Sequence, residues 1–387
     1  MDPERFRSST AGRPILAPGG YWAFVPNPLP PDLVWSHGMV SMLAEAERSL
    51  AGLSEKGSDF ASPQTMVQPF IRREAVLSSR IEGTQTDLDD LYRFESQPQV
   101  DHPGAGDDLE VANYVRALEY GMERIGAPPM SLRLIREMHA RLFEGLSGQH
   151  ATLGEFRRSQ NWIGPPGSTL GNAPFVPPPV DDMHAGLDQL EKYLHAPSDF
   201  PGLVRIGLIH YQFEALHPFL DGNGRIGRLL IALLLRHWGL LPHPWLYLSG
   251  YFEAHRQAYY DGLLGVSERG DWDGWLSLFL DAVGRQSEEA GACLDRLEKL
   301  RAHYKQLVVK ERAAAGLTKV LDFLFGQPMA TVRQIERGIG ASDFKIAQRY
   351  VQKLAELGIL REITGGRRNR IFRADAIFDS IQGTLEV

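Results

Sequence analysis

HPFLDGNGRIGR, residues 217–228, places an imidazole, a carboxylate, two arginines and three glycines within twelve positions. An apolar helical pattern runs into this stretch and another runs out of it. Gly222, Asn223 and Gly224 allow a sharp turn in which successive N–H groups face one point, an arrangement that suits an anion. The helix that starts there adds its own free N–H groups and positive end. Arg225 and Arg228 are three apart, so they share a helix face and can grip phosphate oxygens. Asp221 beside such a nest would repel phosphate unless a cation such as Mg²⁺ lies between them. His217 precedes the turn and is placed to act as a general base. Phe219 reads as the apolar anchor of the turn.

The same residues carry a resemblance. The pattern HxFx(D/E)GNGRxxR is the signature of the Fic family, and every fixed position is matched here. The resemblance implies a mainly α fold, a Fic-type helical bundle with a small β-hairpin flap. It implies transfer of AMP from ATP to a hydroxyl side chain of a protein. On that basis Gly222, Asn223, Gly224, Arg225 and Arg228 bind the nucleotide, Asp221 holds Mg²⁺ and His217 is the base. Upstream, Ser78, Glu82 and Gly83 satisfy (S/T)xxxE(G/N), which resembles the inhibitory motif of the family, and Glu82 is expected to pair with Arg228. Arg157, Asn161, Trp162 and Ile163 fall where the family carries its flap, the segment that docks the target by strand addition. Tyr251 and His255 lie in the aromatic stretch after the central helix and are assigned to the nucleotide; relatives mostly carry Asn at the position of His255.

The chain has 387 residues, enough for two or three domains, and 43% are hydrophobic. Its net charge of −7 excludes a polycation, so any nucleic-acid contact must come from a local patch. The single cysteine, Cys293, rules out an internal disulfide framework. No apolar signal segment or long apolar run appears, and a cytoplasmic protein without membrane contact is expected.

The boundaries read as follows: an N-terminal arm and helix at 1–66, the Fic core with its inhibitory helix at 67–283, a helical linker at 284–311 and a further unit at 312–387. Trp22 and Phe24 are expected to pin the arm. His139 and His210 read as structural histidines. The order helix, helix, helix, hairpin in the last unit resembles a winged-helix domain. Lys345, Arg349 and Lys353 on its third helix, with Arg367, Arg368 and Arg370 on the hairpin, are candidate DNA contacts. The expected partners are ATP and a protein substrate, with the chain itself a candidate target; the basic tail is open to DNA or to a docked protein, and a homodimer is left open. Two other readings stay open: removal of AMP by the same site, with Glu82 orienting water, and a non-enzymatic nucleotide-sensing regulator that binds DNA.

Overall fold

The structure is a computed structural model, and it describes residues 1–58, 62–96, 106–125, 130–146, 152–366 and 369–383. The chain opens with a 3-10 turn at Pro3–Phe6 and an antiparallel hairpin of β1 (Gly12–Leu16) and β2 (Trp22–Pro26). Helices α1 (His37–Ser58), α2 (Pro63–Met66), α3 (Gln68–Glu82), α4 (Leu88–Ser96), α5 (Gly106–Arg124) and α6 (Leu132–Leu142) follow. A non-helical flap occupies 152–179. Then come α7 (Val180–His195), α8 (Gly202–Leu216), α9 (Asn223–His237), α10 (Ser249–Ala254), α11 (Arg256–Arg269) and α12 (Trp272–Val308). The tail is built from α13 (Ala314–Gly326), β3 (Met329–Thr331), α14 (Val332–Gly338), α15 (Phe344–Glu356), β4 (Arg361–Glu362), β5 (Ile371–Arg373) and α16 (Asp375–Gln382), with its strands in the order β3-β5-β4.

Helices α8 and α9 form the centre, as their apolar composition predicts. Leu203, Ile206, Leu208, Phe213, Ile226, Leu229 and Leu233 have no solvent exposure. A helix apolar on every face has nowhere to go but the interior. The stretch 217–222 joins these two helices, so the turn is suspended between the two most buried elements.

Two parts differ from the sequence reading. The arm contains a hairpin that its Pro- and Gly-rich composition does not signal; Phe24 is fully buried there, while Trp22 is half-buried. The linker expected at 284–311 is no separate element but the larger part of one helix, α12, that begins at Trp272. It runs in the same direction as α1, with Ser36 bonded to Asp273, Ser49 to Glu288 and Lys56 to Asp295. Gly284 lies where α1 passes close, an added Cβ coming within 3.8 Å of Ala46 Cα, so this glycine serves packing and does not end the helix.

The tail packs on the rest of the chain. Arg73 of α3 donates to the Ile381 carbonyl at 3.0 Å, Gln334 donates to the Glu95 carbonyl at 2.9 Å, and Phe378 meets the Tyr92 ring edge-on. Its basic surface is smaller than the sequence suggests. Lys353 pairs with Glu311 at 3.0 Å, Arg361 with Asp375 at 2.6 Å, and Arg373 with Asp89 at 2.7 Å. Arg370 lies over the Phe372 ring, while Arg367 and Arg368 fall outside the described residues. Lys345 and Arg349 remain exposed, with Gln348 and Gln352 beside them. Among the described residues no helix is long and apolar enough to cross a membrane.

Candidate active site

His217 closes α8 in the left-handed conformation, with φ 46° and ψ 62°. A residue with a Cβ adopts this region only when its surroundings hold it there. Hydrogen bonds to its carbonyl and to those of its neighbours hold it. Arg157 donates from Nε to the His217 carbonyl at 3.0 Å, from Nη1 to Ser159 at 3.2 Å and from Nη2 to Pro178 at 2.5 Å. The Arg157 backbone N–H donates to the Pro218 carbonyl. Asn161 donates to the Phe219 carbonyl at 2.9 Å. Asn223 accepts from Phe219 N–H at 2.8 Å and donates back to its carbonyl at 2.9 Å.

Arg157 and Asn161 are both buried and spend their donors on the chain's own carbonyls. Burial pushes the Arg157 guanidinium down to about 10. Trp162 and Ile163 are exposed. The flap is less regular than a hairpin, however. Its pairing is one bridge between Ile163 and Phe175.

His217 Nδ1 lies 3.3 Å from the Glu214 carbonyl. A carbonyl can only accept, so Nδ1 carries the proton and Nε2 of the neutral ring keeps its lone pair. Burial pushes the imidazole down to about 4, against the Glu214 carbonyl that favours its charged form, so it is neutral at physiological pH. His139, structural as read, stacks on Phe219 with centroids 3.8 Å apart and bonds to the Asp221 carbonyl at 3.1 Å. His210 is also structural: buried, it meets the Gly227 carbonyl and the Tyr259 hydroxyl, and burial pushes it down to about 3.

Gly222 starts α9 at φ 77°, and a Cβ there would fall 2.7 Å from the Phe143 ring. Gly224 is needed for closeness: a Cβ would lie 2.3 Å from Glu82 Oε1 and 3.0 Å from Arg228 Nη1. The Glu82 carboxylate thus rests against the first turn of α9, where the helix end attracts anions.

The two arginines of the motif are used differently. Arg228 donates from Nη2 to Glu82 Oε1 at 2.6 Å, and its Nε and Nη2 reach the hydroxyl and carbonyl of Ser78 at 2.8 and 2.9 Å. The expected Glu82–Arg228 pair is present, but the guanidinium is shared with Ser78 and is not bidentate to Glu82. Burial pushes the Glu82 carboxyl up, yet the Arg228 charge and hydrogen bond hold it below its ordinary value. Gly83 ends α3 with φ 112°, which lets the chain leave immediately after Glu82. Arg225 is buried against the Phe143 ring and pairs with Glu110, a residue that no sequence motif marks. Burial pushes Arg225 down to about 10.

Asp221 is 52% exposed beside the nest, and its Oδ1 accepts from Gly222 N–H. Tyr251 and His255 do not join this set by hydrogen bonds. Tyr251 donates to Asp281 of α12 at 2.7 Å, and His255 stacks over it. Tyr259 and Tyr260 of α11 lie nearer, since the charges of Glu82 and Arg228 act on both hydroxyls. Glu214 was also missed. Its carboxyl is buried beside Gly227 with Oε1 unbonded, and burial pushes it up to about 8. A lone Glu inside the apolar run of α8, three residues before His217, was the available signal.

Residues 40–123 match the pattern described as Fic/DOC family N-terminal, and residues 129–235 match that of the Fic/DOC family. A curated relative from Aedes aegypti, named protein adenylyltransferase Fic, is 29% identical over 188 residues, 46% of this chain and 34% of its own length. One of the same name from Drosophila ananassae is 30% identical over 145 residues, 35% of this chain and 27% of its own length. The match thus spans about a third of the curated relatives. Among solved structures, a Fic family protein from Desulfovibrio desulfuricans G20 superposes with TM-score 0.57 at 19% identity, over 89% of this chain and 98% of its own. Fic-1 (aa134–508) from C. elegans superposes with TM-score 0.51 at 20% identity, over 67% and 74%. At those identities the likeness speaks for the fold.

Proposed function

Because the chain belongs to the Fic/DOC family through residues 40–123 and 129–235, we propose that it transfers AMP from ATP to a hydroxyl side chain of a protein and is restrained by Glu82. The observation that carries the reading is a neutral His217 whose Nδ1 is already occupied, held at the lip of a helix N-terminus shaped for an anion. In the reaction His217 Nε2 takes the proton of the incoming hydroxyl. The hydroxyl oxygen bonds to the α-phosphorus, the bond from that phosphorus to the bridging oxygen breaks, and pyrophosphate leaves. The backbone N–H groups of Asn223 and Gly224 and the Arg228 guanidinium offset the phosphate charge. Arg225, tied to Glu110, contributes more to the shape of the cradle than to direct grip.

The donor set fits Mg²⁺ of a particular kind. Asp221 offers one accessible carboxylate, and no group of three or more His, Cys, Asp or Glu able to hold a metal occurs among the described residues. That suits an ion shared with substrate phosphates and water, and not one caged by protein. When bound it would neutralise phosphate charge at Asp221.

Glu82 restrains transfer by geometry. Its carboxylate stands against Gly224 and holds Arg228, both of which the outer phosphates need. A second reading draws on the same residue. Glu82 is one-third exposed and its charge acts on His217, so it can orient water for removal of AMP from a modified protein. An intact base weighs against a purely nucleotide-sensing regulator, since binding alone needs none. For the tail, read as a winged helix, the proposal is DNA contact through Lys345 and Arg349, with Arg370 at the edge. Charge reversal at Lys345 and Arg349 should then weaken binding on every sequence and flatten its salt dependence, seen by gel shift across salt.

The test of transfer uses Glu82→Gly and ATP labelled on either the α- or the γ-phosphate. Only α-label should appear on protein. γ-label on protein would mean a kinase-like outcome and reject the reading.

A further inference from the structure

The flap is not held by the helices alone. Phe24 of β2 donates its N–H to the Val176 carbonyl at 2.9 Å, and Phe175 exchanges bonds of 2.9 and 3.3 Å with Ile163. Strand β2 is paired with β1 from Gly12↔Pro26 to Leu16↔Trp22. The segments therefore lie in the order β1, β2, 175–176, 161–163, a ribbon four segments wide that begins in the N-terminal hairpin.

Side chains strengthen the same joint. The Tyr21 hydroxyl donates to Gln160 Oε1 at 3.1 Å, while Gln160 Nε2 donates to the Asn161 and Pro177 carbonyls at 3.0 and 2.9 Å. Gln160 thus ties the hairpin to both arms of the flap. Phe24 packs against Phe6 and Phe175 with ring centroids 5.5 and 5.9 Å apart. The hairpin region is anchored in turn on the bundle, through Arg5 to Glu268 at 2.5 Å, Ser9 to the Val266 carbonyl at 3.3 Å, and Gln212 to the Asn27 carbonyl at 3.2 Å.

The two outer edges of the ribbon are unlike. At β1 the pair Pro14↔Phe24 is of the type whose backbone groups point away from each other, because Phe24 N–H faces Val176. The middle of the three outward positions on β1, between Gly12 and Leu16, is then filled by Pro14, which has no N–H to give, and proline disfavours further pairing. At the other edge, the Trp162 N–H and C=O make no hydrogen bond among the described residues, and the residue is 42% exposed. An edge with open polar groups accepts another strand. It also begins one residue from Asn161, whose side chain holds the Phe219 carbonyl.

We propose that the N-terminal hairpin is part of the platform that docks the protein substrate, with Tyr21 and Phe24 as positioning residues that fix the 161–163 edge for an extended, hydroxyl-bearing segment of the target. This rests on the transfer reading above. An extended segment on that edge meets a register already locked to the turn, and a displacement of about 1 Å at the reacting centre can cost on the order of 100-fold in rate.

The test is made in the full chain carrying Glu82→Gly, with α-labelled ATP and an array of extended nine-residue peptides centred on Ser, Thr or Tyr. Adding Phe24→Ala should raise the peptide KM by about tenfold, equivalent to roughly 1.4 kcal/mol, and leave the KM for ATP unchanged. Tyr21→Phe, which keeps the ring and loses one hydrogen bond, should raise it by a smaller factor, and Phe24→Leu should restore most of the loss. Amide exchange should quicken at Ile163 and Phe175 but not in α9, which separates a loosened flap from a failing fold. Peptide labelling with an unchanged KM in Phe24→Ala and Tyr21→Phe overturns the docking role alone, as does a KM for ATP that rises in parallel. Label on the chain but on no peptide also overturns it. No label on any peptide or on the chain overturns the transfer reading, and the docking role with it.

Discussion

The turn at 217–223 and the last turn of α3 meet at α9, and they are fastened in opposite ways. Along the turn, the carbonyls of His217, Pro218, Phe219 and Asp221 are occupied by Arg157, Asn161, Asn223 and His139, residues drawn from the flap, α6 and α9. At the end of α3, Ser78 and Glu82 lean on one guanidinium, and the Glu82 carboxylate is one-third exposed while Arg228 is 2% exposed. Bonds spread over several elements cannot be undone one at a time. A single charged contact that opens to solvent can. The difference suits a base that must stay fixed and a restraint that must be removable.

The largest effect should come from the fixed side. His217→Ala removes the proposed base and should lower transfer by roughly 10²- to 10⁴-fold. ATP affinity by calorimetry should be nearly unchanged, because the ring acts on the hydroxyl. Retained labelling would reject the base. Arg157→Ala should be milder, on the order of 100-fold in rate, because it frees the turn without touching the substrate. Arg157→Lys should not rescue it: one ammonium cannot span the three carbonyls that the guanidinium reaches. A rate equal to wild type in Arg157→Ala would mean that the turn holds itself. The smallest expected effect is with pH. Burial puts His217 at about 4, so the base form prevails down to about pH 5, and the acid limb of kcat/KM should fall near pH 4. A limb near 6.5 would mean a solvated, unperturbed ring.

The comparison also explains what could be read from the chain beforehand. The turn was legible because its chemistry is local: twelve contiguous residues carry the base, the nest and both arginines. Glu82 was legible because the short SSRIEG stretch lies upstream of a full signature, although the sharing of Arg228 with Ser78 was not. Arg157 and Asn161 are legible as flap residues, but the carbonyls they hold are not. Their partners are backbone carbonyls sixty or so residues away, and no side-chain pattern marks a carbonyl. Glu110 faces Arg225 for the same long-range reason. The N-terminal hairpin was hidden by a composition rich in Pro and Gly. In α12, charge on the exposed face imitated a linker, while small residues on the other face were packing against α1. The tail's order of three helices and a hairpin follows local periodicity and is present as α13, α14, α15 and β4–β5. β3 and α16 are short, and their stability comes from neighbours on α4, α3 and α12.

The most direct measurement is the initial rate of α-phosphate transfer from ATP to protein by wild type and by Glu82→Gly at equal folded concentration, with Arg228→Ala and the double variant alongside. Release of Arg228 and of the space above Gly224 should raise the rate of Glu82→Gly by on the order of 100-fold. Arg228→Ala should be inactive, and the double variant no better, because the same guanidinium serves restraint and phosphate. Equal rates in wild type and Glu82→Gly would contradict the restraint. So would a double variant as active as Glu82→Gly, since Arg228 would then have no part in holding the nucleotide.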